Sequence, residues 1–188
     1  MEIGGVILAA GNASRFGENK LLARYQNRAL LEWLFDAVPT DKLGPVIVVT
    51  QYPAVEALAA ARGFETVRNP HPELGLSRSV ALGTAALAGR CGGILFLAAD
   101  QPRLRRETLA TLVERFREEP TRIAAAAAGE RRGNPAVFPA SLFDALQALT
   151  GDRGGMQIIR RCPELVTYLP VAPAELLDVD TPEDLIGL

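Results

Sequence analysis

The sequence predicts an α/β fold, a mostly parallel sheet covered by helices on both faces, and three observations predict it. Short apolar runs rich in β-branched residues recur at residues 4–9, 45–50, 65–69 and 93–100, and strands that are apolar on both faces belong in a covered sheet. Helical stretches at residues 28–38, 53–62, 76–88 and 105–118 lie between or after them, each long enough for a crossover connection. A chain of 188 residues, 48% of them hydrophobic, can bury one sizeable core but is too short to promise two, so a single domain over residues 1–188 is expected.

Taken in order, the first run, GGVILAA, leads straight into a turn of small residues. Gly11 lets backbone approach a ligand, the N–H groups of such a turn can point at phosphate oxygens, and Arg15 and Lys20 add positive charge. A phosphate cradle at a strand end follows, and with it a nucleotide. The turn lacks the GxxxxGK-Ser/Thr spacing of a Walker loop and the GxGxxG of a dinucleotide site, which removes ATPase and dehydrogenase readings. The fourth run ends in Ala98-Ala99-Asp100. After Pro120 the stretch IAAAAAGERRGNPAVFP reads as two strands joined by a polar turn at residues 129–133, although a run of alanines is equally helical by propensity. Helical pattern returns at residues 140–149 and 154–161, VTYLP reads as a short strand, and DVDTPEDLIGL closes with a capped helical turn.

Charge and composition narrow the function. A net charge of -2 argues against a nucleic-acid footprint, which needs a basic face. No run approaches the ~18 apolar residues of a membrane span, and the start MEIGG has no basic leader, so a cytoplasmic protein acting on small molecules is expected. Cys91 and Cys162 have no CxxC spacing and read as free thiols. His71, the single histidine, sits in the Pro-flanked segment NPHPELG and is a poor candidate for a Ser-His-Asp triad.

Sheets of this type bind ligands beyond the C-terminal ends of their strands. That rule gathers the Gly11 turn, Asp100 and the segment Asp178-Val179-Asp180, read as a further strand end, into one crevice. Mg²⁺ takes one or two protein carboxylates together with substrate phosphates, and Asp100 and Asp180 meet that need. Asp180 before Thr181 and Pro182 is also a helix start, and capping is compatible with metal ligation. Ser77 and Ser79 open a helix after Gly75; their N–H and hydroxyl groups can serve a nucleotide or simply cap the helix.

These residues resemble a known family. LAAGNASRFGENKLL is similar to the LAAGxSxRxGxxKLL signature of nucleotidyltransferases with the MobA-like fold, and more closely to that of the molybdenum cofactor cytidylyltransferases. NPHPELGLSRSVALG, LFLAADQPRL, GNPAVFPASLFDAL, GDRGG and LLDVDTPEDL resemble later elements of the same family, so the likeness runs nearly the whole length. It implies a Rossmann-like three-layer sandwich of the nucleotide-diphospho-sugar transferase type. It further implies that Leu8, Ala9, Ala10, Gly11, Asn69, Ser77 and Ser79 contact the nucleotide, that Arg15 and Lys20 hold its phosphates, and that Asp100 and Asp180 hold Mg²⁺. LAAG rather than LAGG goes with CTP over GTP, and the resemblance as a whole implies a molybdopterin-type acceptor and contact with a molybdoenzyme or its chaperone. Two departures concern the acceptor: Asn134 stands where the family has His, and Met156 where it has Arg, with Arg131, Arg132 or Arg153 available to compensate. Rival readings are guanylyl transfer, a sugar-phosphate acceptor, or a noncatalytic nucleotide-binding module.

Overall fold

The computed structural model describes residues 1–12 and 19–186. The run GGVILAA forms β1 (Ile3–Ala9), whose alternate side chains enter opposite cores: Ile3 and Ile7 pack into one, Val6 into the other. This alternation is why the strand has to be apolar on both faces. The other strands of the main sheet are β4 (Val46–Thr50), β5 (Glu65–Arg68), β6 (Gly93–Ala98), β7 (Ile123–Ala128), β8 (Arg131–Pro139) and β9 (Val166–Pro170). They form a seven-stranded sheet in the order β5-β4-β1-β6-β8-β7-β9. Neighbours pair in parallel except where β8 runs against both β6 and β7.

Two helical layers complete the sandwich. On one face lie α1 (Leu30–Ala37), α2 (Pro53–Ala61) and α4 (Arg106–Glu118), which bury Leu34, Val55 and Leu112 among others. On the other lie α3 (Leu76–Leu87), α5 (Phe143–Gln147) and α6 (Met156–Arg161), which bury Val80, Leu146 and Ile159. A last short helix, α7 (Pro182–Ile186), follows Asp180. The predicted architecture, a mostly parallel three-layer α/β sandwich, is the one observed.

Several local expectations are corrected. The helix expected from residue 28 begins at Leu30, preceded by a hairpin of β2 (Arg24–Tyr25) and β3 (Arg28–Ala29) whose turn residues Gln26 and Asn27 have φ of 48° and 65°. Two-residue strands are too short to show a period of two. The expected helix over residues 140–149 is a 3₁₀ turn followed by α5. The alanine run is strand β7, as the two-strand reading expected, because pairing to β8 and β9 satisfies its backbone while Ala124, Ala125 and Ala126 are buried, so tertiary context overrides the helical propensity of alanine; the turn expected over residues 129–133 is shorter, since β8 begins at Arg131. The segment carrying Asp178 and Asp180, expected to be a strand end, joins no strand.

Strand order places the functional crevice. The chain moves from β1 to β4 and β5 on one side, then returns to set β6 on the other. Between β1 and β6 the order reverses, and the loops leaving their C-terminal ends diverge.

Candidate active site

At that reversal point opens a cavity of about 1010 Å³. Of the predicted residues, Leu8, Ala9, Ala10, Gly11, Ser79, Lys20 and Asp100 line it, whereas Asn69, Ser77 and Asp180 do not. Arg15 lies outside the described residues.

The β1 loop is braced from β4. Thr50 Oγ1 donates to Ala9 O at 3.1 Å, Gln51 Nε2 to Ala10 O at 2.9 Å, and Tyr52 Oη to Gly11 O at 3.0 Å. Three successive carbonyl oxygens, groups that would repel a phosphate, are thereby engaged by three successive side chains. Gln51 also donates to Asn12 Oδ1 at 2.8 Å. Gln51 and Tyr52 escaped the sequence reading; their position directly after an apolar strand at the ligand-binding edge was the available signal.

Lys20 begins a 3₁₀ turn, Lys20–Leu22, whose preceding Asn19 side chain accepts from the Leu21 N–H. Its ammonium lies 2.7 Å from Asp100 Oδ2 and 3.0 Å from Asp180 Oδ1. Burial pulls the Lys20 pKa down, but the Asp100 carboxylate and then Asp180 outweigh it, so the pKa lies above the ordinary lysine value and the group is charged. Asp180 reaches this point from the rim, with a side chain 58% exposed. Its backbone N–H and that of Thr181 donate to Asp184 Oδ2 at 2.9 and 2.7 Å, which fastens the start of α7.

Asp178, two residues before, lines the cavity instead. Burial raises its pKa, the nearby Asp100 charge raises it further, and a hydrogen bond from Gln101 works against both. Gln101 Nε2 donates to Asp178 Oδ1 at 2.8 Å, and Asn134 Nδ2 donates to Gln101 Oε1 at 2.9 Å. Asn134 is aimed there by an irregularity in β8: pairing to β7 jumps from Ala125↔Ala136 to Ala127↔Arg132, leaving Gly133, Asn134 and Pro135 as a bulge. Gly133 has φ 102°, and a Cβ there would strike Met156, so the bulge requires glycine. The Asn134–Pro135 peptide is cis.

The far wall comes from β8, the GDRGG turn and α6. Ser77 N donates to Gly151 O at 3.1 Å, so the first turn of α3 holds this segment and that N–H is not open to a ligand. Asn69, 1% exposed, donates to Ser79 Oγ at 3.0 Å and accepts from the His71 N–H at 3.0 Å, which places Ser79 and shapes the turn before α3. Among the arginines weighed for the acceptor side, Arg131 and Arg132 line the cavity and Arg153 does not; Arg160 of α6 also lines it. Arg131 donates to Leu176 O at 3.0 Å and Arg132 lies 5.6 Å over the Tyr168 ring. Chemically, the cavity has an acid-and-lysine end beside β1 and β6 and an arginine-bearing wall opposite.

Comparison with known proteins bears on the fold and the family. The chain is 30% identical over 114 residues to the bifunctional protein GlmU of Pelotomaculum thermopropionicum, a match covering 60% of this chain and 25% of that protein, so the chain spans about a quarter of such relatives. It is 29% identical over 192 residues to the purine catabolism protein PucB of Bacillus subtilis, covering 96% of this chain and 92% of the relative. Among solved structures, Rv0371c of Mycobacterium tuberculosis superposes with a TM-score of 0.82 at 26% identity, covering 100% of this chain and 97% of the other. Another structure of Rv0371c, with the same TM-score of 0.82, is a complex with manganese. Among the described residues no helix is long and apolar enough to cross a membrane. Residues 5–166 match the MobA-like NTP transferase domain, and the chain belongs to that family.

Proposed function

We propose that this chain is a Mg²⁺-dependent cytidylyltransferase that moves CMP from CTP to the phosphate of a molybdopterin-type acceptor, the molybdenum cofactor, and releases pyrophosphate. The observation that carries the proposal is the ammonium of Lys20 held between the carboxylates of Asp100 and Asp180 beside the braced β1 loop. Two carboxylates already converging on one cation fit a hard divalent ion, which takes one or two protein carboxylates and completes its shell with phosphate and water. The manganese complex of Rv0371c supports divalent-metal use.

In this reading Ala9, Ala10 and Gly11 present backbone N–H groups to the nucleotide, and Lys20 and Arg15 neutralise the triphosphate. An acceptor phosphate oxygen attacks the α-phosphorus, the bond from α-phosphorus to the bridging oxygen breaks, and pyrophosphate departs with the electron pair. The acceptor phosphate is already ionised, so no Ser, Cys or His nucleophile is required, and catalysis reduces to alignment and electrostatic stabilisation. Bound Mg²⁺ would supply Lewis-acid polarisation of the phosphoryl oxygens and offset charge there. Arg132 and Arg160 would face the acceptor, taking the place of the family arginine lost to Met156, while Asn134 is committed to Gln101. A cytoplasmic setting and hand-over to a molybdoenzyme or its chaperone belong to the same proposal.

The test is a turnover screen of CTP, GTP, ATP and UTP against molybdenum cofactor, following pyrophosphate release. CTP-dependent release is expected. Release with another nucleotide alone contradicts the cytidylyl reading, and release with none contradicts the molybdopterin-type acceptor.

A further inference from the structure

The segment that delivers Asp178 and Asp180 has no strand to hold it. Residues 173–180 cross the C-terminal end of β6 as a strap, beginning with the 3₁₀ turn Pro173–Leu176. Three fastenings lie at the cavity itself: Arg131 to Leu176 O at 3.0 Å, Gln101 to Asp178 at 2.8 Å, and the Val179 N–H to Asp100 O at 2.9 Å. They work against a cost, because Asp178, Asp180 and Asp100 are like charges gathered at one end of the sheet and tend to drive the strap away.

A further fastening lies outside the cavity. Glu175 is 3% exposed, and its Oε2 accepts from Thr108 Oγ1 at 2.6 Å and, at a longer 3.4 Å, from the Arg105 N–H. Its Oε1 lies 2.9 Å from the Arg105 guanidinium. Thr108 stands in the first turn of α4, a helix whose Leu109, Leu112, Val113 and Phe116 are fully buried, so the anchor is tied to an element packed into the core. A carboxylate buried this far is retained at a solvation cost unless it is paired and hydrogen-bonded; here Oε2 is hydrogen-bonded, while Oε1 is paired with Arg105 by charge alone and accepts no hydrogen bond.

We infer that Glu175 is a positioning residue: by pinning the strap to α4 it holds Asp178 on Gln101 and Asp180 on Lys20 against the mutual repulsion of the acids. The inference rests on the proposed function for its catalytic consequence, and on the fastenings alone for its structural one. Outer partners of this kind commonly change activity or metal affinity about 10–100-fold when removed.

Two measurements on the full chain test it. Hydrogen–deuterium exchange is compared between the parent, Glu175→Leu and Thr108→Val; the second variant keeps side-chain shape and serves if the first unfolds. Amides of residues 176–181, with Val179 among them, are expected to exchange about tenfold faster or more while β1 and β6 keep their protection. Unchanged exchange over residues 176–181 overturns the inference, whatever the enzyme does. The second measurement is a double-mutant cycle in CTP-dependent pyrophosphate release. Glu175→Leu is expected to lower kcat about 10–100-fold in the parent and to add little in the Asp180→Asn background, since both changes remove the same carboxylate from its place. Fully additive losses, or full activity with a loosened strap, overturn it. Absence of release from the parent protein would instead count against the proposed function, and the exchange result would still decide whether Glu175 holds the strap.

Discussion

Lys20 is the residue on which the site's charge balance turns. Its ammonium answers two carboxylates at 2.7 and 3.0 Å in a position that also lines the cavity. Lys20→Ala is expected to lower kcat by about 10²–10³ and to weaken triphosphate binding, because a preorganised positive charge is lost where negative charge develops. Isothermal titration with CTP and a turnover assay check it; unchanged affinity and rate would make Lys20 a purely structural counter-ion. Ala10 bears on base choice. It is 3% exposed at the cavity wall, and its carbonyl is held by Gln51. One methyl group discriminates by only about 1–3 kcal/mol, so a kcat/KM preference for CTP over GTP of about 10–200-fold is expected from shape, and anything larger requires hydrogen bonds to the cytosine edge. Equal kcat/KM values for the two nucleotides would remove Ala10 from that role.

At the scale of elements, a glycine turn holds one wall of the site and ion pairs tie the helices of the other layer. Gly75 precedes α3 with φ 87°, and a Cβ there would come within 2.6 Å of the Gly151 backbone and Asp152 Oδ1. Gly75→Ala is expected to destabilise by about 1–3 kcal/mol, read as a lowered Tm, since the strained backbone and the contact with the GDRGG turn conflict with any side chain. No change in Tm would contradict that packing. On the opposite face, Asp36 of α1 pairs with Arg28 of the β3 hairpin strand and with Arg62 at the end of α2. Partial burial raises the Asp36 pKa, but the hydrogen bonds from Arg28 and Arg62 outweigh it, so the carboxyl titrates below its ordinary value. A group depressed in the folded state stabilises above its unfolded pKa of about 3.9 and loses that contribution as pH falls through the folded value. Asp36→Asn is therefore expected to lower stability at pH 7 by about 0.2–1 kcal/mol per exposed pair, with the difference vanishing at the acid end. Denaturant melts across pH 3 to 7 measure it, and a difference that does not shrink below about pH 4 would assign the effect to something other than charge.

Across the whole molecule, the sheet was legible in the sequence because its strands are buried on both faces and carry continuous apolar runs, as β1 and β4 do. The crevice was legible because the Gly11 turn and Asp100 each end such a run. The β2–β3 hairpin was not, being too short to have a period, and neither was the bulge that aims Asn134, because register is set by pairing between distant strands. The strap was misread as a strand end since its apolar residues, Leu176 and Val179, pack without a ladder, and its anchors Thr108, Gln101 and Arg131 lie far away in sequence. Distant partners of this kind leave no local pattern. On the proposed function the crevice between β1 and β6 is the place of nucleotidyl transfer, and Asp100 lines it without filling any packed apolar volume. The most direct test is Mg²⁺-dependent pyrophosphate release from CTP and molybdenum cofactor by Asp100→Ala, with circular dichroism confirming an intact fold. Turnover reduced about a thousandfold or more is the predicted result; activity within a few fold of the parent would contradict it.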